Sequence, residues 1–317
     1  MAARSHPAVE LLDLRSLRAA DLEDLLEEET AAWREELDWD FGKSAELVSR
    51  FVDLRALHGF ALVEQGAVIG YTYFVYEDQK GLVGDIYVRR HARAPGREER
   101  LLQAALHGMI ADGVRRVEAQ LMMAASLHQR PSVMTPPLEA YPRNFMMLED
   151  PGRLPSARLR RRVQIQPWSG QHENATAQLI AEAYLGHVDS RINDQYRSVF
   201  GARRFLRNIV EYPGCGTFFA PGSYAAFDLE AERLCGVCLA SLVAPECGHV
   251  TQVCVSPWTQ GCGIGRELLR RSLGTLAEAG CRRASLTVTA SNSGAVALYE
   301  RLGFRTIRRF NAYIWES

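Results

Sequence analysis

The 317-residue chain is 47% hydrophobic and 24% charged, with a formal net charge of −1 at pH 7, so it has apolar material for two cores and no global field that draws it to nucleic acid or acidic lipid. No apolar run approaches the roughly 20 residues of a membrane helix, and the opening residues lack the apolar stretch of a signal peptide, with Asp13, Arg15 and Arg18 close behind. Seven cysteines, all after residue 214, are an odd set for a secreted disulfide framework, so a cytoplasmic protein is expected.

From the N-terminus, residues 9–16 alternate as a first strand. Ala20 to Leu37 and Ser44 to Leu57 carry apolar residues at helical spacing, and three strand-like runs follow: Phe60 to Val63, Val68 to Tyr76 and Leu82 to Val88, the first two joined by a Gln65-Gly66 turn. Leu101 to Ile110 reads as a helix and Val114 to Met123 as a strand. Residues 124–149 carry no predicted element. The segment Asp150-Pro-Gly-Arg-Leu-Pro-Ser marks a boundary, ahead of a basic run, Arg158 to Arg162, that reads as a solvated linker.

The order then repeats. Val163 to Ile165 is a strand, Asn174 to Gly186 and Ala202 to Val210 are helices, and Tyr224 to Phe227, Leu234 to Val243 and His249 to Val255 are strands. A helix running to Gly280, a strand Ala284 to Thr289, a helix Gly294 to Leu302 and a closing strand Phe310 to Trp315 complete it. Two mixed α/β domains are expected, 1–150 and 162–317, with 151–161 as linker, arisen by internal duplication. Cys235 and Cys238 lie in an apolar strand, where residues three apart point to opposite faces, so they are expected to be buried thiols and no metal site is expected.

The stretch Val253 to Arg266 reads strand end, Pro257 stop, and a loop with Gly261, Gly263 and Gly265 opening an amphipathic helix (Ile264, Leu268, Leu269, Leu273, Leu276). Glycines let backbone approach a ligand, and the free amides of a helix start, backed by its dipole, suit a phosphate. It is not a Walker loop, because Arg266-Glu267 follows Gly265 where lysine and a hydroxyl are needed, and not a dinucleotide fingerprint, because position 266 is arginine.

What these residues resemble is the acetyl-coenzyme A loop of the GNAT superfamily of N-acetyltransferases, Arg/Gln-x-x-Gly-x-Gly/Ala, here Gln260-x-x-Gly263-x-Gly265. The resemblance extends to the preceding Val-x-Val-x-Pro and to residues 285–304, from Ser-Leu-Thr-Val-Thr-Ala-Ser-Asn to Leu-Tyr-Glu-Arg-Leu-Gly-Phe. It implies two tandem GNAT-like domains and an acyltransferase that moves the acetyl group of acetyl-CoA to a primary amine. It also implies site residues. Gln260, Gly261, Cys262, Gly263, Ile264, Gly265 and Arg266 would hold the pyrophosphate, backbone at Val253 and Val255 the pantetheine arm, and Asn292 the cofactor near the next helix. Tyr299 matches the tyrosine that protonates the departing thiolate.

The base is sought where such enzymes place it, at the strand before the loop. Glu246 or His249 acting through water is expected; His249 and Gln252 are three apart and cannot both face inward on a regular strand. For the acceptor amine, the polar segment Tyr184 to Tyr196 offers Asp189, Asp194 and Tyr196. Setting Val88 against Val255 aligns the copies at an offset of 167 residues (255 minus 88). The first loop is then Arg93-Ala-Pro95-Gly96-Arg97-Glu98, in which Pro95 removes an amide donor and Glu98 puts a carboxylate at the position of Gly265. Asn292 faces Ala125, and Tyr299 faces Ser132. The first domain is therefore expected to have lost the cofactor site. A non-catalytic acetyl-CoA sensor or scaffold is the competing reading.

Overall fold

The computed structural model describes residues 9–124, 126–127, 134–212 and 214–317. In chain order the elements are β1 (Val9–Asp13), α1 (Ala19–Leu37), α2 (Gly42–Asp53), β2 (His58–Glu64), β3 (Ala67–Glu77), β4 (Lys80–Val88), α3 (Arg97–Ala111), β5 (Arg116–Gln120) and β6 (Glu139–Glu149). They continue with β7 (Val163–Pro167), α4 (Glu173–Ala183), α5 (Asp189–Ile192), α6 (Val199–Glu211), β8 (Thr217–Phe218), β9 (Tyr224–Asp228) and β10 (Arg233–Ala244). The last are β11 (Cys247–Val255), α7 (Ile264–Glu278), β12 (Arg283–Thr289), α8 (Ser293–Arg301) and β13 (Arg305–Glu316). The first strand stops at Asp13 because its carboxylate accepts the Arg15 amide at 2.8 Å and turns 14–16 into a 3-10 helix.

Two compact units result. One gathers residues up to Leu37, Phe41–Pro142 and Arg309–Ser317; the other gathers Asp38–Asp40 and Arg143–Arg308. In the first, β1 to β4 pair antiparallel in sequence order, the β2–β3 turn having positive φ at both Gln65 and Gly66, as a two-residue hairpin requires. β4 then runs parallel to β5 over Lys80–Val83 and Arg116–Ala119, and β5 is flanked by β13, Ala312–Glu316 opposite Arg116–Gln120. Leu101, Leu102, Ala105, Leu106 and Met109 of α3 seal the core.

In the second unit β7, β9, β10 and β11 are successive antiparallel neighbours. β11 runs parallel to β12 over Cys247–Val250 and Arg283–Leu286, and β12 is flanked by β6, Arg143–Glu149 opposite Arg283–Thr289. One face is covered by α7, whose Ile264, Leu268, Leu269, Leu273 and Leu276 are each at most 1% exposed; burying each contributes roughly 1.5–3 kcal/mol. The other face is covered by α4 and α6 through Leu179, Ile180, Ala202, Leu206 and Ile209.

The duplication is visible in register. The parallel pairing begins at Lys80 with Arg116 in one unit and at Cys247 with Arg283 in the other, and both steps are 167 residues. The two repeats, however, exchange their last strands. Arg143–Glu149 of β6 follow the first repeat yet belong to the second unit, and the part of β13 from Arg309 on follows the second repeat yet completes the first. Neither unit is therefore a contiguous piece cut at 150. Among the described residues no helix is long and apolar enough to cross a membrane.

Candidate functional site

β11 and β12 stay paired for only four residues. Beyond them β12 follows β6 to Thr289, while β11 remains with β10 to Val255. The strands diverge, and among the described residues the edge of β11 from Thr251 to Val255 has no strand on the β12 side. Unpaired edge backbone of this kind can take an extended ligand as an added strand.

At the end of that edge the chain turns through Pro257–Thr259 into the glycine loop. Gly261 and Gly263 have φ of 76° and 85°, left-handed values that favour glycine. Gly263 is the N-cap of α7 and no side chain caps the helix, so its first amides remain available to an anion. Arg266 adds a guanidinium whose Nε is buried without a hydrogen-bond partner among the described residues. Glu267, a carboxylate in the same first turn, is held down to about 2 by Arg270, with Arg271 and the Ala157 amide assisting. Its charge is spent on those partners.

The three glycines serve different purposes. A Cβ at Gly263 would lie 2.5 Å from the carbonyl oxygen of Arg158, and the Arg160 amide donates to the Cys262 carbonyl at 3.0 Å. The basic run keeps Arg158, Arg160 and Arg162 exposed, as a solvated linker should, but its backbone is laid along the loop, and Gly263 makes room for it. Gly261 faces open space, and a Cβ at Gly265 would stand 3.2 Å from Val255 Cγ2.

Wedge and loop open into one cleft of about 940 Å³. Val253, Val255, Gln260, Gly261, Gly263, Ile264, Gly265, Arg266, Asn292 and Tyr299 all line it; Cys262 does not. Asn292 Oδ1 caps α8 by accepting the Ala295 amide at 3.2 Å. Tyr299 is 7% exposed, its ring meets Phe304 edge-on, and burial raises its pKa above that of a free phenol. It stays protonated at neutral pH.

The acetyltransferase (GNAT) family profile matches residues 188–304. This segment belongs to the GNAT family. The mycothiol acetyltransferase of Gordonia bronchialis is 39% identical over 97 residues, which is 30% of this chain and 32% of that protein. The match thus spans about a third of the relative's length. A GCN5-related N-acetyltransferase from Sphaerobacter thermophilus aligns over 98% of this chain and 97% of its own, with a TM-score of 0.69 at 18% identity. A tandem GNAT protein from the clavulanic acid biosynthesis pathway covers 98% of both chains with a TM-score of 0.62 at 15% identity. What is shared at those identities is the fold, two GNAT-like units in one chain.

Within the GNAT segment and its surroundings, the expected base residues Glu246 and His249 do not line this cleft. Glu246 sits in the β10–β11 turn, half-exposed and 3.4 Å from Arg282, at the opposite end of β11 from Val253. Seven residues of strand separate them, on the order of 23 Å. His249 does not line the cleft either. Its ring packs against Trp39 and Phe145, its Nδ1 lies 2.9 Å from Ser285 Oγ, and burial pushes its pKa down to about 3. Such a histidine is a neutral core residue. The unfolded chain binds its proton below pH 6.5 and the folded one does not until pH 3, so stability is present above 6.5 and drains away toward 3. By linkage the loss is roughly 5 kcal/mol. Acid unfolding followed by circular dichroism should therefore be shallower in His249→Gln over that window; an unchanged curve would contradict the assignment.

Strand parity fails twice, both times at a bulge. Opposite β10, the partners of Leu239 and Ala240 are Gln252 and Val250, so Thr251 is an inserted bulge residue. The bulge puts His249 and Gln252 on one face despite their spacing of three. Gly84 is bulged identically in β4, 167 residues earlier. On β10 itself the register slips between Leu234 and Gly236, which brings Cys235 and Cys238 into the same core. Burial pushes those thiols up to about 11 and 12, so both remain protonated.

Only part of the segment expected to hold substrate reaches this cleft. Asp189, Asp194 and Tyr196 do not line the cleft, whereas Tyr184 and His187 do. Tyr196 stacks on Tyr184 at 4.4 Å, and Gln252 bridges the two hydroxyls, at 3.0 Å to Tyr184 and 3.3 Å to Tyr196. Asp189 accepts the Thr289 hydroxyl; its backbone amide donates to His187 Nδ1 at 3.2 Å and its carboxylate stands 3.5 Å from the same nitrogen, while His187 Nε2 faces Asn292 Nδ2 at 3.2 Å. His187 and Tyr184 have no motif to announce them; only the bent connection from α4 through α5 carries them to the wedge.

In the first unit the loop keeps its shape. Gly96 caps α3 with φ 87°, matching Gly263. Glu98, however, is buried with its carboxylate on the amides of Ser126 and Leu127 at 2.8 and 3.3 Å. Ala125 and Ser132, the counterparts of Asn292 and Tyr299, lie outside the described residues.

Proposed function

We propose that the protein is an N-acetyltransferase that moves the acetyl group of acetyl-CoA to a primary amine by direct attack in a ternary complex. The observation that carries this is the continuity of one cleft from the uncapped helix start, along the open edge of β11, to Tyr299. The amides opening α7, with Arg266 beside them, would hold the pyrophosphate, and backbone at Val253 and Val255 would hold the pantetheine arm. Asn292 borders the same lane.

In the reaction the amine nitrogen bonds to the thioester carbon, the carbon–sulfur bond breaks with its electrons going to sulfur, and Tyr299 supplies a proton to that sulfur. An alkyl ammonium must first lose a proton, because only about one part in a thousand is neutral at pH 7. His187 is the imidazole that borders the cleft, with the Asp189 amide and carboxylate both at its Nδ1, and is assigned to receive it. Cys254 also borders the cleft, but burial pushes its thiol up to about 12, which favours direct transfer over an acyl-cysteine. The first unit is read as having lost the cofactor site, its Glu98 carboxylate lying where Gly265 admits a phosphate. Cytoplasmic placement accords with seven unpaired thiols.

The test is acetyl-CoA-dependent thiol release across a panel of primary amines. Amine-dependent release, with N-acetylated product by mass spectrometry, is the expected result. Tight acetyl-CoA binding without transfer to any amine would instead make the protein a sensor or scaffold.

A further inference from the structure

The acceptor side of the second unit contains a charge that the reaction described so far does not use. Arg143, near the start of β6, stands opposite Thr289 at the end of β12, on the sheet face that also carries Phe145, His249 and Gln252. Its side chain is only 12% exposed, and its one charged neighbour among the described residues is Asp189, with Nη1 4.0 Å from Oδ1. That oxygen already accepts the Thr289 hydroxyl. Arg143 Nε is buried without any hydrogen-bond partner among the described residues. A guanidinium has five donors, and burying even one of them unused is costly.

The contrast with Arg116 shows what this fold does with an arginine it needs only for structure. Arg116, 6% exposed in its side chain, is held by Glu118 at 2.6 Å and Glu316 at 2.8 Å. Arg143 has no such pair among the described residues, and unsatisfied buried donors of this kind are uncommon enough to require a cause. Around it stand Asp189 and, through Asp189, His187 on the cleft wall; Tyr196 is close enough to respond to the charges of both Arg143 and Asp189.

We propose that the acceptor is a primary amine carrying an oxyanion, a carboxylate or a phosphate, and that Arg143 binds this group and so sets substrate choice. A planar guanidinium takes two oxyanion oxygens at once, which fixes direction as well as adding affinity. The amine of such an acceptor points from Arg143 toward His187 and the cleft. This inference rests on the acetyl-transfer reading and adds the substrate class to it.

The experiment compares kcat/KM for α-amino acids with the same amino acids as primary amides, and for phosphoethanolamine with ethanolamine, in wild type, Arg143→Gln and Arg143→Lys. Wild type is expected to prefer at least one class of anionic acceptor by about tenfold or more, and the class preferred identifies the oxyanion. For amino acids that preference opposes intrinsic reactivity, because the amine of an amide loses its proton more readily. Arg143→Gln should abolish the preference through a rise in KM for the anionic amines, and Arg143→Lys should retain part of it. Calorimetry with acetyl-CoA should give the same affinity in all three, showing an intact fold and cofactor site. Equal use of neutral and anionic amines by wild type, or a preference that survives Arg143→Gln, overturns the inference and leaves acetyl transfer standing. Transfer to no amine at all removes the acetyl-transfer reading itself, and this inference with it.

Discussion

Gly265→Glu is expected to weaken acetyl-CoA binding by about 100-fold or more. The position is the second residue of α7, where amides are uncapped, and the wall opposite is close, with Val255 Cγ2 only 3.2 Å from where a Cβ would stand. A glutamate there must turn its carboxylate toward the pyrophosphate. Two like charges about 5 Å apart repel by roughly 3 kcal/mol at the effective dielectric of a protein surface, which alone is about a hundredfold. The first repeat shows the same residue in place, Glu98, tied to backbone amides at 126 and 127. Gly265→Ala supplies the control. It adds the contact without the charge and should cost tenfold at most. Calorimetric titration reads both, with circular dichroism confirming the helix; a glutamate variant that binds like wild type would remove the helix start from the cofactor site.

The second large effect belongs to Tyr299. In Tyr299→Phe the rate of transfer should fall about 10²- to 10³-fold while acetyl-CoA affinity changes less than twofold. Phenylalanine keeps the ring, its edge-on contact with Phe304 at 5.9 Å and the buried volume, so only the hydroxyl is removed. No described residue takes a hydrogen bond from that hydroxyl, which leaves it to the cleft. Burial raises the phenol pKa, so the group is a proton donor throughout the pH range of the reaction, and loss of one donor to a developing anion costs about 3–4 kcal/mol in the barrier. Stopped assays with saturating acetyl-CoA separate this from weaker binding. A rate within threefold of wild type would take Tyr299 out of the chemistry.

Local pattern carries much of this site. Three glycines, a proline stop and an apolar stripe from Ile264 to Leu276 are short-range features, and they fold as a strand, a loop and a helix because each is decided by neighbouring residues. The offset of 167 between repeats is legible for the same reason and recurs in the register of both parallel pairings and in both bulges. What is not legible depends on partners far along the chain. β6 has Pro142 and two methionines, a weak strand signature, and its pairing with β12 across more than a hundred residues leaves no local trace. The bulge at Thr251 carries neither glycine nor proline, so strand parity misplaces His249 and Gln252. In sequence Gly263 reads as room for a ligand; in the fold it is room for the Arg158 carbonyl. Closeness in sequence points to Glu246, yet an extended strand turns seven residues into a separation that no proton crosses.

Everything proposed for this chain depends on one acetyl-CoA site, built on the loop of the second repeat. Calorimetric titration of acetyl-CoA into the wild-type protein measures that number directly. One site per chain is the predicted result. Two sites per chain would contradict the reading of Glu98 as the group that closes the first repeat, and no binding would contradict the account as a whole.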